Sequence, residues 1–195
     1  KSVIPFLDQL TLIAKEAQSV NTIFKKDNKI VGDNTDIGGF EYGLKHINYD
    51  VKNKKVFILG AGGVVPSIIL ALKQLGVFKI SLSNRTKEKA EELKKIYKDL
   101  EVINWGQCTD FDMIINATSL GLKNDDQIEL DFSKIKSGKL FYDVIYNPSK
   151  TNFLLKGEEL GNKIENGKMM FIYQAQLAFK IWHNILPKVD DKLLD

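Results

Sequence analysis

The sequence is poor in several features, and each absence restricts what the protein can be. It has a single cysteine, Cys108, which excludes an intrachain disulfide and fits a reducing compartment. No apolar run is long enough to span a bilayer, and the first residues do not read as a signal peptide. The net charge is only +3, and no basic run carries interleaved aromatic residues. We therefore expect a cytoplasmic protein that binds neither membrane nor nucleic acid.

Arginine and histidine are almost absent. Arg85 is the sole arginine among 28 basic residues, so lysine serves wherever a simple positive charge is enough. A lone arginine suggests a position that needs its planar, two-pronged donor. The two histidines, His46 and His183, have no matching ligand cluster, and we expect no metal site. Cys108 has no nearby base in the sequence, so we expect it to be unreactive.

The strongest local signal is an apolar run, residues 56–59, that leads into clustered glycines and then into a helical pattern. Strand, glycine turn and helix open a dinucleotide-binding βαβ unit. Gly60 permits the tight turn, and Gly62 lets the backbone approach a pyrophosphate at the N-terminus of the helix. The third glycine of the pattern is replaced near Val65, which predicts slightly wider packing of helix on strand.

Strands and helices are expected to alternate around this unit, which predicts a Rossmann-like, doubly wound parallel α/β sheet. The expected strands are 55–59, 78–82, 101–103, 112–116, 139–144 and 163–165, and the expected helices are 64–75, 87–98, 151–160 and a long apolar one from 169. Before them we expect a helix over 1–17, a hairpin that joins 19–24 to 30–32, and a helix that follows 33–36. We expect the domains to be a partial α/β substrate-binding domain at 1–48, a nucleotide-binding domain at 49–165, and a C-terminal helix at 166–195 that packs back on the first.

Polar residues that follow two of these strands point to the cofactor. Residues 84–87 offer two cations, an amide and a hydroxyl, with no carboxylate before Glu88. An acidic residue at this position holds the ribose of NAD, whereas arginine accommodates the 2′-phosphate of NADP, so Arg85 favours NADP. Residues 116–119 end another apolar strand at the sheet edge where such folds bind ligands. Residues 33–36, with two carboxylates, either cap a helix or belong to a site.

With these stretches in view, the chain resembles the shikimate dehydrogenase family. Matching motifs occur in the family's order over nearly the whole sequence, at 19–22, 32–36 with Gly38, 60–63, 84–86, 115–118, 142–148 with Thr151, and 174–179 with Trp182. The resemblance implies reversible, NADPH-linked reduction of 3-dehydroshikimate to shikimate, a step toward chorismate and the aromatic amino acids. A related enzyme that accepts quinate or uses NAD, or a non-catalytic NADP-binding fragment, remains the alternative.

The resemblance also implies individual roles. Asp36 matches the family's catalytic aspartate, and the implied substrate contacts are Asn21, Asp36, Tyr146 and Gln174. The implied cofactor contacts are Gly60, Ala61, Gly62, Gly63, Val64, Asn84, Arg85, Thr86, Lys87, Glu88 and Lys89, with Val144 and Gly167 at the nicotinamide end; Asn116, Ala117 and Thr118 join them from the sheet edge.

The family pairs its catalytic aspartate with a lysine, because a neighbouring carboxylate favours the ammonium form. Counting back from Asp8 puts this lysine one position before Lys1, whereas a gap would make Lys1 the lysine itself. The family's upstream strands are expected to be missing as well. Some of the apolar face of the last helix would then be exposed and could drive association into a homodimer.

Overall fold

In the computed structural model, residues 2–190 are described, and they divide into two compact units. Unit 1 takes residues 2–50, 66–74 and 169–190, and unit 2 takes residues 51–65 and 75–168. Lys1, which the sequence interpretation placed at or next to the family's lysine, lies outside the described residues. No helix of the described chain is long and apolar enough to cross a membrane.

Unit 2 is built on a six-stranded parallel sheet. Its strands are β4 (Lys55–Leu59), β5 (Lys79–Ser83), β6 (Glu101–Ile103), β7 (Met113–Asn116), β8 (Leu140–Asp143) and β9 (Lys163–Glu165), in the order β6-β5-β4-β7-β8-β9. All neighbouring pairs are parallel. This order is that of dinucleotide-binding folds, with the change of winding direction between β4 and β7. The expected Rossmann-like α/β fold is confirmed.

The helices of this pattern begin and end within two residues of their expected positions. They are α3 (Val65–Gln74), α4 (Lys87–Ile96), α5 (Asn152–Glu159) and the long α6 (Lys168–His183). Buried strands explain the accuracy, since β4, β7 and β8 are apolar almost throughout and each ends at a polar residue or glycine. Val65, at the third position of the glycine pattern, is fully buried.

Unit 1 contains a small three-stranded sheet and helices. Strand β2 (Thr22–Lys26) pairs antiparallel with β3 (Lys29–Asp33), which confirms the expected hairpin, and α2 (Asp36–His46) follows. Asp27 and Asn28 form the two-residue turn, both with positive φ, as the type I′ geometry of tight hairpins requires.

The prediction of one helix over residues 1–17 is wrong. The segment instead forms a single 3₁₀ turn (Ile4–Phe6), a short strand β1 (Gln9–Leu10) parallel to β3, and a six-residue helix α1 (Leu12–Ala17). The amide of Thr11 donates to the carbonyl of Gly32 at 3.0 Å, so this backbone is bound to the sheet. The Thr11 hydroxyl then accepts from the amide of Ala14 and begins the helix there.

Candidate functional site

A cavity of about 370 Å³ opens at the carboxyl ends of four neighbouring strands of unit 2. The turns after β4, β5, β6 and β7 all contribute to its wall, together with the first turns of α4. Its lining residues are Gly60, Ala61, Gly62, Asn84, Arg85, Thr86, Lys89, Trp105, Ala117, Thr118, Ser119 and Leu120. Nine of these are among the cofactor contacts expected from the sequence, so residues far apart in the chain meet at one place.

The glycines give this cavity an open backbone wall. Gly60 has a φ of +108°, and a β-carbon there would lie 2.7 Å from the carbonyl oxygen of Ala117, so only glycine fits. Gly62 is different, because its nearest neighbour would be the same oxygen at 3.8 Å. A β-carbon on Gly63, which is not among the lining residues of the cavity, would meet nothing within 4 Å. The chain then enters α3 at Val65, so a helix N-terminus follows a backbone that a ligand can approach closely.

The turn after β5 presents cations to the cavity. The side-chain amide of Asn84 donates to the carbonyl of Thr86 at 2.7 Å and thereby fixes the turn that carries Arg85. Arg85 and Lys89 line the wall, and none of the described residues that line it carries a carboxylate. Lys87 and Glu88, which were also expected to bind the cofactor, do not line this cavity; the side chain of Lys87 donates to Asn104 instead.

Asn116 lies behind the cavity wall rather than in it. Its side chain is fully buried, and its Nδ2 donates to the carbonyl of Leu120 at 2.9 Å and to the carboxylate of Asp143. Its Oδ1 accepts from the amide and the hydroxyl of Thr118, at 3.1 and 2.7 Å. Asn116 thus ties the cavity-lining segment 117–120 to the end of β8. A direct cofactor contact by Asn116 stays a prediction.

Asp143 is the centre of this network. Its carboxylate accepts from the hydroxyl of Thr151 at 2.6 Å, the amide of Ile145 at 3.0 Å and the amide group of Asn116 at 3.1 Å. Burial raises the pKa of Asp143, and the bonds from Thr151, Ile145 and Asn116 act in the opposite direction. One buried carboxyl therefore connects the ends of β7 and β8 to the start of α5, whose N-cap is Thr151.

Val144 and Gly167, the two residues expected at the nicotinamide end, lie against each other. The amide of Gly167 donates to the carbonyl of Ile145 at 3.1 Å. A β-carbon on Gly167 would overlap the backbone carbonyl of Val144. Only glycine therefore permits this approach, although neither residue lines the cavity described above.

A second polar cluster lies in unit 1, where the start of α2 meets β2 and α6. Asn21 donates through Nδ2 to the carboxylate of Asp36 at 2.8 Å, and its Oδ1 accepts from the amide of Thr35 at the same distance. The Gln174 side-chain oxygen lies 3.4 Å from the Thr35 hydroxyl and 3.5 Å from Asn21 Nδ2. Three of the four residues expected to bind substrate, Asn21, Asp36 and Gln174, are thus brought together.

Hydrogen bonds from buried side chains hold this cluster in place. Thr35 occupies the N-cap position of α2, but its side chain makes no capping bond and instead contacts Asn21. Asn34 takes the capping role, since its Oδ1 accepts from the amide of Ile37, while its Nδ2 donates to Ser67 and to the carbonyl of Ser19. Within the segment 33–36, which was expected either to cap a helix or to belong to a site, the capping side chain is therefore that of Asn34 and not that of Thr35.

Burial raises the pKa of Asp36, whereas the hydrogen bond from Asn21 lowers it. The carboxylate therefore has a stabilising partner but is partly withdrawn from solvent, a setting common to acids that act in catalysis. Tyr146, the fourth expected substrate contact, belongs to unit 2, where its side chain is 44% exposed.

Sequence reasoning did not single out Asp143, Thr35 as a partner of Asn21, or Trp105. A usable signal existed for Asp143, because a charged residue that ends an otherwise apolar buried strand needs several donors around it. Trp105 gave no such signal, since a single aromatic residue after a short strand is most often part of the core.

A larger cavity of about 820 Å³ in unit 2 is lined mainly by segments 106–111 and 131–139, which precede β7 and β8. Charges at its edge are paired within the chain, Lys55 with Asp110 at 2.7 Å and Lys139 with Asp112 at 3.6 Å. None of the expected site residues lines this cavity.

Comparison with known proteins identifies the family. A sequence profile of the shikimate/quinate 5-dehydrogenases matches residues 43–140. The shikimate dehydrogenase (NADP+) of Pelagibacter ubique is 59% identical over 195 residues, which are all of this chain and 74% of that protein. The chain belongs to the shikimate/quinate dehydrogenase family.

Solved structures agree with this family assignment. A shikimate 5-dehydrogenase from Thermus thermophilus, in complex with NADP(H) and shikimate, superposes with a TM-score of 0.87 at 28% identity, over 96% of this chain and 70% of that one. A quinate dehydrogenase from Corynebacterium glutamicum in complex with NAD gives 0.85 at 26% identity, again over 96% and 70%. Both specificities known for shikimate/quinate dehydrogenases thus share this fold.

Proposed function

We propose that this protein catalyses the reversible reduction of 3-dehydroshikimate to shikimate with NADPH. The observation that carries the proposal is that one chain, 59% identical to a shikimate dehydrogenase, contains both an acid–amide cluster at Asn21, Asp36 and Gln174 and a cation-lined glycine cavity. When bound, NADPH would supply the two electrons and the hydrogen that reduce the ring carbonyl. The remaining steps are tasks for the residues of the chain.

The cavity of unit 2 fits the cofactor. The open backbone at Gly62 and Gly63 would receive the pyrophosphate, and the N-terminus of α3 follows it. Arg85 and Lys89, with the hydroxyl of Thr86, would hold the 2′-phosphate, and no carboxylate in the wall would repel it. This is the basis for preferring NADP to NAD.

The cluster of unit 1 fits a small ring that carries hydroxyls. The amides of Asn21 and Gln174 can each donate and accept, so they would orient the ring by its hydroxyl groups. Asp36 would hold the ammonium of the family's lysine, which would donate a proton to the forming alkoxide and accept it back in the reverse reaction. Tyr146 would contact the substrate through its phenol, and Val144 and Gly167 would pack at the nicotinamide.

The cofactor preference is tested by Arg85→Ala. We expect kcat/KM for NADP to fall by about 10- to 100-fold, because a charge-assisted bidentate contact is lost, while kcat/KM for NAD changes little. Lys95→Ala is the matched control, since it removes an exposed positive charge from the other end of α4, outside the cavity. Equal losses with both cofactors would contradict the assignment of Arg85 to the phosphate.

The substrate is tested with a panel of shikimate and quinate against NADP and NAD. Shikimate with NADP should be the best pair. A preference for quinate with NAD would support the alternative, which the likeness to the Corynebacterium quinate dehydrogenase keeps open. Binding of NADP without turnover of either substrate would point to a non-catalytic module.

We also propose that the protein works in the cytoplasm as a homodimer. Support for association comes from exposed apolar side chains at the end of unit 1, Trp182, Ile185 and Leu186, which are 54–62% accessible. Light scattering of the purified protein tests this, and a monomer at micromolar concentration would refute the dimer.

A further inference from the structure

Trp105 lies in the wall of the cofactor cavity, and none of the roles assigned above uses it. It follows β6, the strand next to β5, and it shares the cavity with Arg85, Lys89 and Thr118. The indole is therefore near the groups proposed to hold the 2′-phosphate, on the side of the cavity away from β8. This is the side at which the adenosine half of a dinucleotide would lie if Arg85 holds its ribose phosphate.

The indole is held in place by the core. Trp105 is half-buried and packs against the buried cluster that contains Phe57, Leu59 and Phe111. A side chain that is already fixed on one side loses little rotamer freedom when a ligand covers its remaining surface. Packing explains why a large apolar residue is stable here, but it leaves part of the ring on the cavity wall.

The chemistry of this wall suits a purine. Tryptophan offers the largest aromatic surface of the common side chains, and nucleobases stack on such rings with little regard to their hydrogen-bonding edges. Arg85 in the same cavity wall adds a planar cation, which also favours a stacked base. A carboxylate, which would disfavour the adjacent phosphate, is missing from the described lining residues.

We propose that Trp105 is the adenine-binding residue of this cavity, and that it stacks on the base while Arg85 and Lys89 hold the 2′-phosphate. This inference rests on the proposed NADP dependence. The proposed contact involves only the adenosine half of the cofactor. A fragment of the cofactor that lacks the nicotinamide should therefore make the whole contact with Trp105.

The test uses adenosine 2′,5′-bisphosphate as the probe and the whole protein. Trp105→Phe keeps an aromatic face, whereas Trp105→Leu keeps apolar bulk without one, so the two variants form a matched pair. We expect the Kd of the leucine variant, measured by calorimetry, to exceed that of the phenylalanine variant by about 5- to 50-fold. A ratio below threefold would overturn the proposal, and any larger ratio supports it.

Fluorescence locates the contact independently. The chain has two tryptophans, and Trp182→Phe leaves Trp105 as the only one. We expect adenosine 2′,5′-bisphosphate to quench the emission of this variant, and nicotinamide mononucleotide to leave it unchanged. Quenching by the mononucleotide alone would place Trp105 at the other half of the cofactor and overturn the inference.

The outcome for the unaltered protein separates this inference from the proposed function. If the wild-type protein binds neither NADP nor the bisphosphate, the NADP dependence itself fails, and the role of Trp105 fails with it. If the wild type binds both but the two Trp105 variants bind alike, only the role of Trp105 fails.

Discussion

Removing the carboxyl group of Asp143 should lower the free energy of unfolding far more than removing its charge alone. In Asp143→Ala, the hydroxyl of Thr151 and the amide of Ile145 lose their acceptor, whereas Asn116 keeps its bond to the carbonyl of Leu120. A buried donor without a partner costs about 1–3 kcal/mol. Two of them predict a decrease of about 2–6 kcal/mol in the free energy of unfolding.

Asp143→Asn is the matched variant. The oxygen that accepts from Ile145 and Asn116 is retained, whereas the other oxygen, which accepts from Thr151 and lies 3.1 Å from Asn116 Nδ2, is replaced by an amide group. The burial that raises the pKa of Asp143 also means that a neutral side chain is easier to bury. We therefore expect a loss below about 2 kcal/mol, measured by urea unfolding at pH 7.

The pH dependence gives a second measurement on the same residue. Because the pKa of Asp143 is raised in the folded protein, the folded state binds this proton more tightly than the unfolded chain does. The stability of the wild type relative to Asp143→Asn should thus be greatest below the unfolded value of about 3.9, and should decrease as the pH rises through the folded pKa. Equal losses in the alanine and asparagine variants, or the opposite pH trend, would refute the reasoning.

Three further variants test other parts of the two clusters. In Asn21→Ala, the bond that lowers the pKa of Asp36 is lost, so the acid limb of the kcat/KM profile should move to higher pH. Gly62→Ala should change the melting temperature little but weaken NADP binding at least about tenfold in calorimetry, because its β-carbon enters the cavity without touching the protein closely. Gly39→Ala should destabilise the fold by about 1–3 kcal/mol in urea unfolding, since its β-carbon would lie 2.8 Å from the carbonyl oxygen of Met170 in α6.

The strands and helices of unit 2 could be located from the sequence because the apolar pattern of each segment agrees with its place in the sheet. The strands are short apolar runs, such as residues 56–59 and 113–115, and a glycine or polar residue marks where each ends. Such runs are buried on both faces in a parallel sheet, so few other structures suit them. The alternation of these strands with helices predicted a parallel, doubly wound sheet, whereas the strand order is known from the structure.

Residues 1–17 show where this reasoning fails. Apolar spacing across Pro5 and Thr11 looked like one helical face, yet Leu12 is 82% exposed and Phe6 is 79% exposed. The structure of this segment depends on strand β3, which lies outside it. The amide of Thr11 donates to the carbonyl of Gly32, and the amide of Asp8 donates to the carbonyl of Ile30. Long-range strand pairing of this kind leaves no trace in local periodicity.

The residues of the candidate site also differ in how far the sequence reveals them. Residues that line the cavity, such as Arg85 or Gly60, have a chemistry that a motif can reveal. Residues that act through others are harder to find, since Thr35 is recognisable only once Asn21 is seen to bond with it, and the position of Asp143 in an apolar strand does not show that Asn116 is one of its donors. Asn116 illustrates the difference most clearly, because its place in a motif suggested ligand contact, whereas every polar atom of its side chain is used inside the protein.

The side chain of Asn21 links the local backbone to the ionisation of Asp36. Its amide oxygen is fixed by the backbone of Thr35, which leaves its NH₂ group directed at Asp36 and close to Gln174. An amide held at its oxygen cannot rotate to offer the other face, so Asp36 always meets a donor. This donor opposes the effect of burial and favours the carboxylate, which is the form that can hold an ammonium group. The local geometry of α2 and β2 thus supports the proposed role of Asp36 as the partner of an ammonium group.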